Sequence, residues 1–253
     1  MIPSVLRLLP GSMALPVRMV GLLLFPPASA SADQRPATTV YEEVPFPDVL
    51  FLCGEPVPLD RRHVREMLDR ELTISAWDRA QVFMWLKRAG RYFPHIEKRL
   101  AEEGMPEDLK FLAVAESSLI THIRSHRGAM GPWQFMPRTA RHNGLRKDRS
   151  IDERRDFERS TSAALRYLKH LYGMFGNWSL AMAAYNCGDT RLKKEMKRQR
   201  ADGFYQLNLP LETERYIFRI AAIKLILEDP TRYGYRIPEI GRASCRERVC
   251  HRV

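Results

Sequence analysis

Residues 106–122, PEDLKFLAVAESSLITH, contain a turn that is apolar on almost every face. Leu109, Leu112 and Ala113 form one helical stripe whose next members are Glu116 and then Leu119 or Ile120. Phe111, Val114 and Ala115 fill the intervening directions. A helix that is apolar all round is buried among other elements rather than laid on a surface. Such a chain has to build layers round this segment, and it has to accommodate a carboxyl group where the pattern asks for leucine.

Helical periodicity runs through most of what surrounds it. LDRRHVREMLDREL opens with Asp60 as an N-cap, and AWDRAQVFMWLKRAG follows with Trp77, Val82, Trp85 and Leu86 facing inward and Gly90 as a stop. YFPHIEKRLAEEG ends at Gly104, and Pro106 starts the helix that carries Glu116. In STSAALRYLKHLYGMF, Thr161, Ala164, Leu165, Leu168, Leu171, Tyr172 and Phe175 share a face, with Ser160 as the cap. NWSLAMAAYNCG is a short helix stopped by Gly188, and ETERYIFRIAAIKLILED is the last, ended by Pro230. SHRGAMGPWQFMP sets Gly128, Gly131 and Pro132 round Trp133 and Gln134, the composition of an ordered loop. No segment alternates with period two, so the expected class is all-α. Residues 33–58 hold five of the seventeen prolines and no helical period, and they read as an extended strap.

The chain has 253 residues and a net charge of +11, which suits a polyanionic partner: nucleic acid, anionic lipid or an acidic wall polymer. The basic run RLKKEMKRQR, 191–200, reads as a solvated helix face or as a contact for an anionic polymer. No helix-turn-helix spacing accompanies it, so nucleic acid is not the expected partner. At the N-terminus, Arg7 and Arg18, a short apolar run from Met19 to Phe25 and then PASASA have the layout of a secretory signal peptide over residues 1–32. The expectation is an exported protein of the periplasm or cell envelope, soluble or peripherally associated with a membrane. Cys53 stands too far from the cleavage site, and behind the wrong residues, to be a lipid anchor. Cys245 and Cys250 lie in EIGRASCRERVCHRV, a stretch without apolar period; residues 239–253 read as a non-native tail. Without it the chain loses four Arg and two Glu, so +11 becomes +9 and the basic balance stands. Cys53 and Cys187 remain, with a disulfide between them left open. His122 and His126 are four apart with no third ligand after them, so no metal or other cofactor is expected.

A carboxyl group in a core position is costly unless it is paired or protonated. Desolvation and a place near the end of its helix both push the pKa of Glu116 upward, which makes a good general acid near neutral pH. Position alone leaves two readings open: that acid, or a Glu turned to solvent or pinned by Arg124.

The neighbourhood decides between them. AVAESS, SHRGAMGPWQFMPRTA, AMAAYNCG and LETERYI occur in that order, with Gln134 eighteen residues after Glu116. This set resembles the soluble lytic transglycosylase (SLT) domain, specifically the membrane-bound lytic transglycosylase D type, over about residues 91–235. Residues 33–90 then form the strap and an N-terminal helical extension. The commoner GLMQ of the wider superfamily stands here as GPWQ. The resemblance implies a lysozyme-like helical domain, of the goose-lysozyme type, that cleaves the MurNAc–GlcNAc β-1,4 bond of peptidoglycan without water. Glu116 matches the single catalytic acid, which then acts as base on the C6 hydroxyl to leave a 1,6-anhydro end. By the same carry-over, Ser117 and Ser125 bond Glu116 or the sugar, and Gln134 offers a donor and an acceptor to the N-acetyl group. Tyr185, beside Asn186, orients Glu116 or the leaving oxygen, and Glu212 and Tyr216 close the cleft. Trp133 is either a sugar platform or a core aromatic. The rival readings are a goose-type hydrolase and a non-catalytic wall-binding protein.

Overall fold

Asp78 supplies the first corner. In the computed structural model, which describes residues 43–236, α1 (Arg62–Trp77) ends at Asp78 and α2 (Arg79–Glu102) begins there, the Asp78 side chain accepting from Gln81 N at 3.1 Å. Two expected punctuation marks are therefore wrong. Asp60 is not the cap of α1, since Arg61 holds that position without a side-chain capping bond. Gly90 does not stop α2, which continues through both Gly90 and Pro94. The local cost, about 1 kcal/mol for glycine and 3 for proline, is outweighed by burial of Val82, Trp85 and Ala89 before them and Ile96 and Leu100 after. Trp77, expected inside, ends α1 instead and is 51% exposed.

Gly104, at φ +63°, turns the chain after α2. A 3₁₀ turn, Glu107–Leu109, leads into α3 (Lys110–Ser117), where Phe111 to Val114 are all buried. Beyond an irregular loop come α4 (Pro137–His142) and α5 (Phe157–Phe175). α5 starts three residues before Ser160 because Asp156 is its cap, accepting from Arg159 N at 2.9 Å. Then follow α6 (Trp178–Cys187), the basic α7 (Asp189–Gln199) and α8 (Leu211–Glu228). α1 lies along α8, α5 packs on α6, and α3 sits between α2 and α8. The helical class is as the periodicity indicates. Among the described residues the exception is an antiparallel pair of two-residue strands, β1 (Phe51–Leu52) and β2 (Glu55–Pro56).

That hairpin changes the reading of the strap. Leu50, Leu52, Cys53 and Val57 are buried in the core. Glu55 at the turn caps α6, accepting from Trp178 N at 2.6 Å, from Ser179 N at 3.2 Å and from Asn177 Nδ2 at 2.9 Å. A carboxylate on exposed helix N–H groups is favoured by both hydrogen bonding and the helix dipole. Cys53 and Cys187 are free thiols, so they do not pair. The signal-peptide layout, the tail and its two cysteines lie outside the described residues. Among those described, no helix is long and apolar enough to cross a membrane, and no group of His, Cys, Asp and Glu is arranged to hold a metal.

Candidate active site

Glu116 occupies the last turn of α3, on the stripe of the buried Leu109, Leu112 and Ala113, and is itself half-buried at the wall of a cleft. Its partner is not Arg124, which stays exposed, but the buried Tyr216 on α8, whose hydroxyl donates to Glu116 Oε1 at 2.5 Å. Burial pushes the Glu116 carboxyl up to about 7. The Tyr216 bond and the charge of Arg219 pull it down, and Glu212 pushes it further up. A carboxyl group so placed is half-protonated near neutral pH and can both give and take a proton. Just past Ser117, the last residue of α3, the backbone reverses through two left-handed residues, Ser118 at φ +54° and Leu119 at φ +60°. α2 holds this strained corner from outside: Trp85 Nε1 and Gln81 Nε2 donate to Ser118 Oγ, and Arg88 donates to its carbonyl at 3.1 Å.

Facing Glu116 is the loop of residues 123–136, pinned by bridges from Met130 to Arg124 and to Phe135. Its main anchor is Arg154, buried although it sits in the charge run DERRDFE. One guanidinium nitrogen, Nη1, donates to the carbonyls of Gly128 and Phe135, both at 2.9 Å, while Asp152 accepts from Nε at 2.8 Å and from Nη2 at 2.6 Å. Gly131 passes so close that a Cβ would stand 1.8 Å from the Arg154 carbonyl oxygen, at φ +83°. Only glycine fits there.

The loop also settles three expected site residues. Trp133 is 0% exposed, its indole N–H donating to Thr161 Oγ1 at 2.9 Å, so it has no free face for a sugar and is a core aromatic. Ser117 is turned away from the cleft, donating to Pro132 O at 2.7 Å and Ala113 O at 3.2 Å. A buried hydroxyl takes the nearest carbonyl, and here that ties the acid's helix to the loop. Gln134, at φ +46°, spends its amide N–H₂ on Gly131 O at 2.8 Å and Ile123 O at 3.3 Å. Its amide oxygen is left for a ligand, so it offers an acceptor rather than the expected pair.

The remaining expected residues come together. Ser125, Gln134, Tyr185, Asn186 and Glu212 line the same cleft as Glu116, an open volume of about 550 Å³. Ser125 Oγ accepts from Ala129 N at 2.9 Å, and Asn186 Oδ1 from Thr213 Oγ1 at 3.0 Å. The bond to Glu116 expected of Tyr185 is made by Tyr216 instead. Tyr185 donates to Trp133 O at 2.7 Å and holds the loop, while Tyr216 holds the acid. Burial, with the charge of Glu116 beside them, pushes both phenols well above 10, so they remain donors. His126 and Arg127 also line the cleft, and Gln134, Met136, Tyr185 and Asn186 are shared with a recess of about 260 Å³ that Tyr167 and Cys187 also line. His126, Arg127 and Arg154 carry no local pattern that marks them; each is a charged or polar residue in a polar stretch.

A carboxyl group of raised pKa, a donor fixed on one of its oxygens and a rigid loop opposite are the observations against which relatives can be judged. Residues 93–208 match the family model described as the Transglycosylase SLT domain. Here the likeness in sequence and the site coincide: the SLT match contains Glu116, Gln134, Tyr185 and Asn186. It stops short of Glu212 and Tyr216, which α8 supplies. Over 167 residues the chain is 38% identical to membrane-bound lytic murein transglycosylase D of Escherichia coli (strain K12), covering 64% of this chain and 37% of that protein. It is 32% identical over 111 residues to a putative tributyltin chloride resistance protein of Alteromonas sp. (strain M-1), covering 43% and 54%. Among solved structures it is similar to the 70 kDa soluble lytic transglycosylase of Escherichia coli, with TM-score 0.45 and 23% identity over 55% of this chain and 24% of that one. The chain thus spans little more than a third of the murein transglycosylase D length.

Proposed function

We propose that this chain is a peptidoglycan lytic transglycosylase of the cell envelope, with Glu116 as acid and then base. The observation that carries the proposal is the carboxyl group of Glu116, raised to about 7 by burial and held on one oxygen by Tyr216 in an open cleft. The SLT match and the murein transglycosylase relative supply the substrate class.

With Oε1 occupied by the Tyr216 hydroxyl, the transferable proton belongs on Oε2. Glu116 gives it to the glycosidic oxygen between MurNAc and GlcNAc, and the C1–O4 bond breaks. The acetamido carbonyl of the same MurNAc steadies the cation at C1, so a second protein carboxylate is not required. Glu116, now ionised, is stabilised by the Tyr216 donor; it takes the proton of the C6 hydroxyl, and O6 closes on C1. Acid and anhydro product are restored without water. Ser125, Asn186 and the Gln134 carbonyl contact the sugars, Glu212 closes the cleft, and Tyr185 keeps the loop in place. The lysozyme-like reading of the domain rests on the SLT match. Export rests on the signal-like layout of residues 1–32, and peripheral membrane association on the printed name of the relative.

One observation favours the goose-type hydrolase instead: Glu212 puts a second carboxyl group in the cleft, where it could activate water. Digestion of isolated murein sacculi separates the two. The transglycosylase yields muropeptides one water lighter than lysozyme products and without a reducing end; reducing MurNAc in their place would establish hydrolysis.

A further inference from the structure

Glu71 breaks the same rule as Glu116. It lies on the buried face of α1 with Val64, Leu68, Leu72 and Ser75, and only 2% of it is exposed. A carboxyl group there needs partners, and it has three guanidinium groups. Oε1 accepts from Arg215 Nε at 2.6 Å and Arg70 Nη1 at 2.5 Å, and Oε2 from Arg219 Nε at 3.5 Å. Glu71, Arg215 and Arg219 all lie outside the segment matched by the SLT family.

Arg219 is the member that matters for chemistry. On α8, Glu212, Tyr216 and Arg219 follow at i, i+4 and i+7, so they share the face that meets α3. The groups around Glu116 are Tyr216, Arg219 and Glu212 from α8, Tyr185 from α6, and His126 and Arg127 from the loop. Those around Glu71 are Arg70 from its own helix and Arg215 and Arg219 from α8. A guanidinium beside two carboxyl groups pairs with the one whose geometry holds it. If Arg219 turned to Glu116, it would fix the acid in its ionised form, unable to give a proton.

We propose that Glu71 is a positioning residue for the cleft acid: it holds Arg219 on the α1 side of α8 and so withholds that charge from Glu116. The inference rests on Glu116 being the acid. Arg219 already draws the Glu116 carboxyl downward while burial keeps it near 7, so the balance is sensitive to where the guanidinium points.

The test is a pair of substitutions with opposite expected signs, read two ways. Carbon-13 NMR titration of labelled glutamate carboxyls follows Glu116 without any turnover, and the alkaline limb of sacculus digestion follows it in action. Glu71→Gln releases Arg219 and moves both midpoints to lower pH by at least about half a pH unit, the scale of one partly screened charge. Arg219→Gln moves both upward by a similar amount. The double variant Glu71→Gln/Arg219→Gln returns to or above the wild-type midpoint, because Glu71 acts through Arg219. A merely structural Glu71 would lower activity evenly across pH and leave the midpoints in place, and that result overturns the proposal. Should Glu71→Gln not fold, Glu71→Asp decides: a lowered midpoint, from an Arg219 that the shorter carboxylate holds less well, supports the proposal and an unmoved one overturns it. Wild-type digestion by Glu116→Gln would instead remove the acid assignment itself, so the two failures are distinguishable.

Discussion

Glu116→Gln keeps the shape of the side chain and removes its proton. Turnover of sacculi should fall at least about 100-fold, the low end of what general acid catalysis contributes, and further if one residue serves both steps. The same substitution should change stability in a pH-dependent way. The folded-state pKa, about 7, lies above that of an unfolded glutamate, so the folded protein binds the extra proton between about pH 4.5 and 7. Stability contributed by the protonated acid is full below that window and lost as pH rises through it. Glu116→Gln should therefore match wild type near pH 4 and be about 3 kcal/mol more stable at pH 8, measured by urea unfolding at both values. Tyr216→Phe removes the donor on Oε1 that now lowers the carboxyl, so the Glu116 midpoint should rise above 7 and kcat should fall. A midpoint that stayed put would mean that the tyrosine does not hold the acid.

Among the elements, the loop facing the acid is rigid because a buried arginine and a glycine contact make it so. Gly131→Ala would place a methyl group against the Arg154 carbonyl and strain a left-handed residue; we expect about 3 kcal/mol or more of lost stability in urea unfolding. Activity should fall further than that loss implies at temperatures where the protein is folded, since Gln134 and the Trp133 carbonyl that Tyr185 binds both ride on this loop. Had the contact been with a flexible side-chain tip, alanine would be tolerated. Such contacts leave no local pattern: SHRGAMGPWQFMP has the composition of an ordered loop, yet the residue that orders it, Arg154, looks like one more solvated charge in DERRDFE.

For the molecule as a whole, α1, the first half of α2 and α8 are as much part of the site as the matched segment. α8 supplies Tyr216, α1 covers α8, and Trp85, Gln81 and Arg88 of α2 clamp the corner after Glu116. A fragment of residues 91–236 would expose the partners of Leu68, Leu72, Val82 and Trp85, at about 1.5–3 kcal/mol for each large side chain, against total stabilities of only about 5–15 kcal/mol. It should lack a cooperative thermal transition by circular dichroism. A fragment melting like the full chain would show that the extension is dispensable.

What was legible in the sequence follows from short-range physics. Helical spacing is a property of neighbours within two turns, so α3, α5, α6 and α8 and the odd carboxyl group of Glu116 could be read directly. Local stops were read less well, because burial on either side carried α2 across Gly90 and Pro94. Which hydroxyl reaches which carboxyl oxygen depends on the crossing of helices a hundred residues apart. Tyr185 and Tyr216 are both tyrosines at plausible places, and only the packing of α8 on α3 gave the bond to Tyr216. Trp133 and Ser117 went inward, and the Gln134 amide turned to its own loop, because buried polar atoms take partners that the fold brings to them. The periodicity placed a carboxyl group on a buried stripe. The tertiary structure decided its partner, the burial that raises its pKa and which of its oxygens that partner occupies, because those depend on helices brought together from far along the chain.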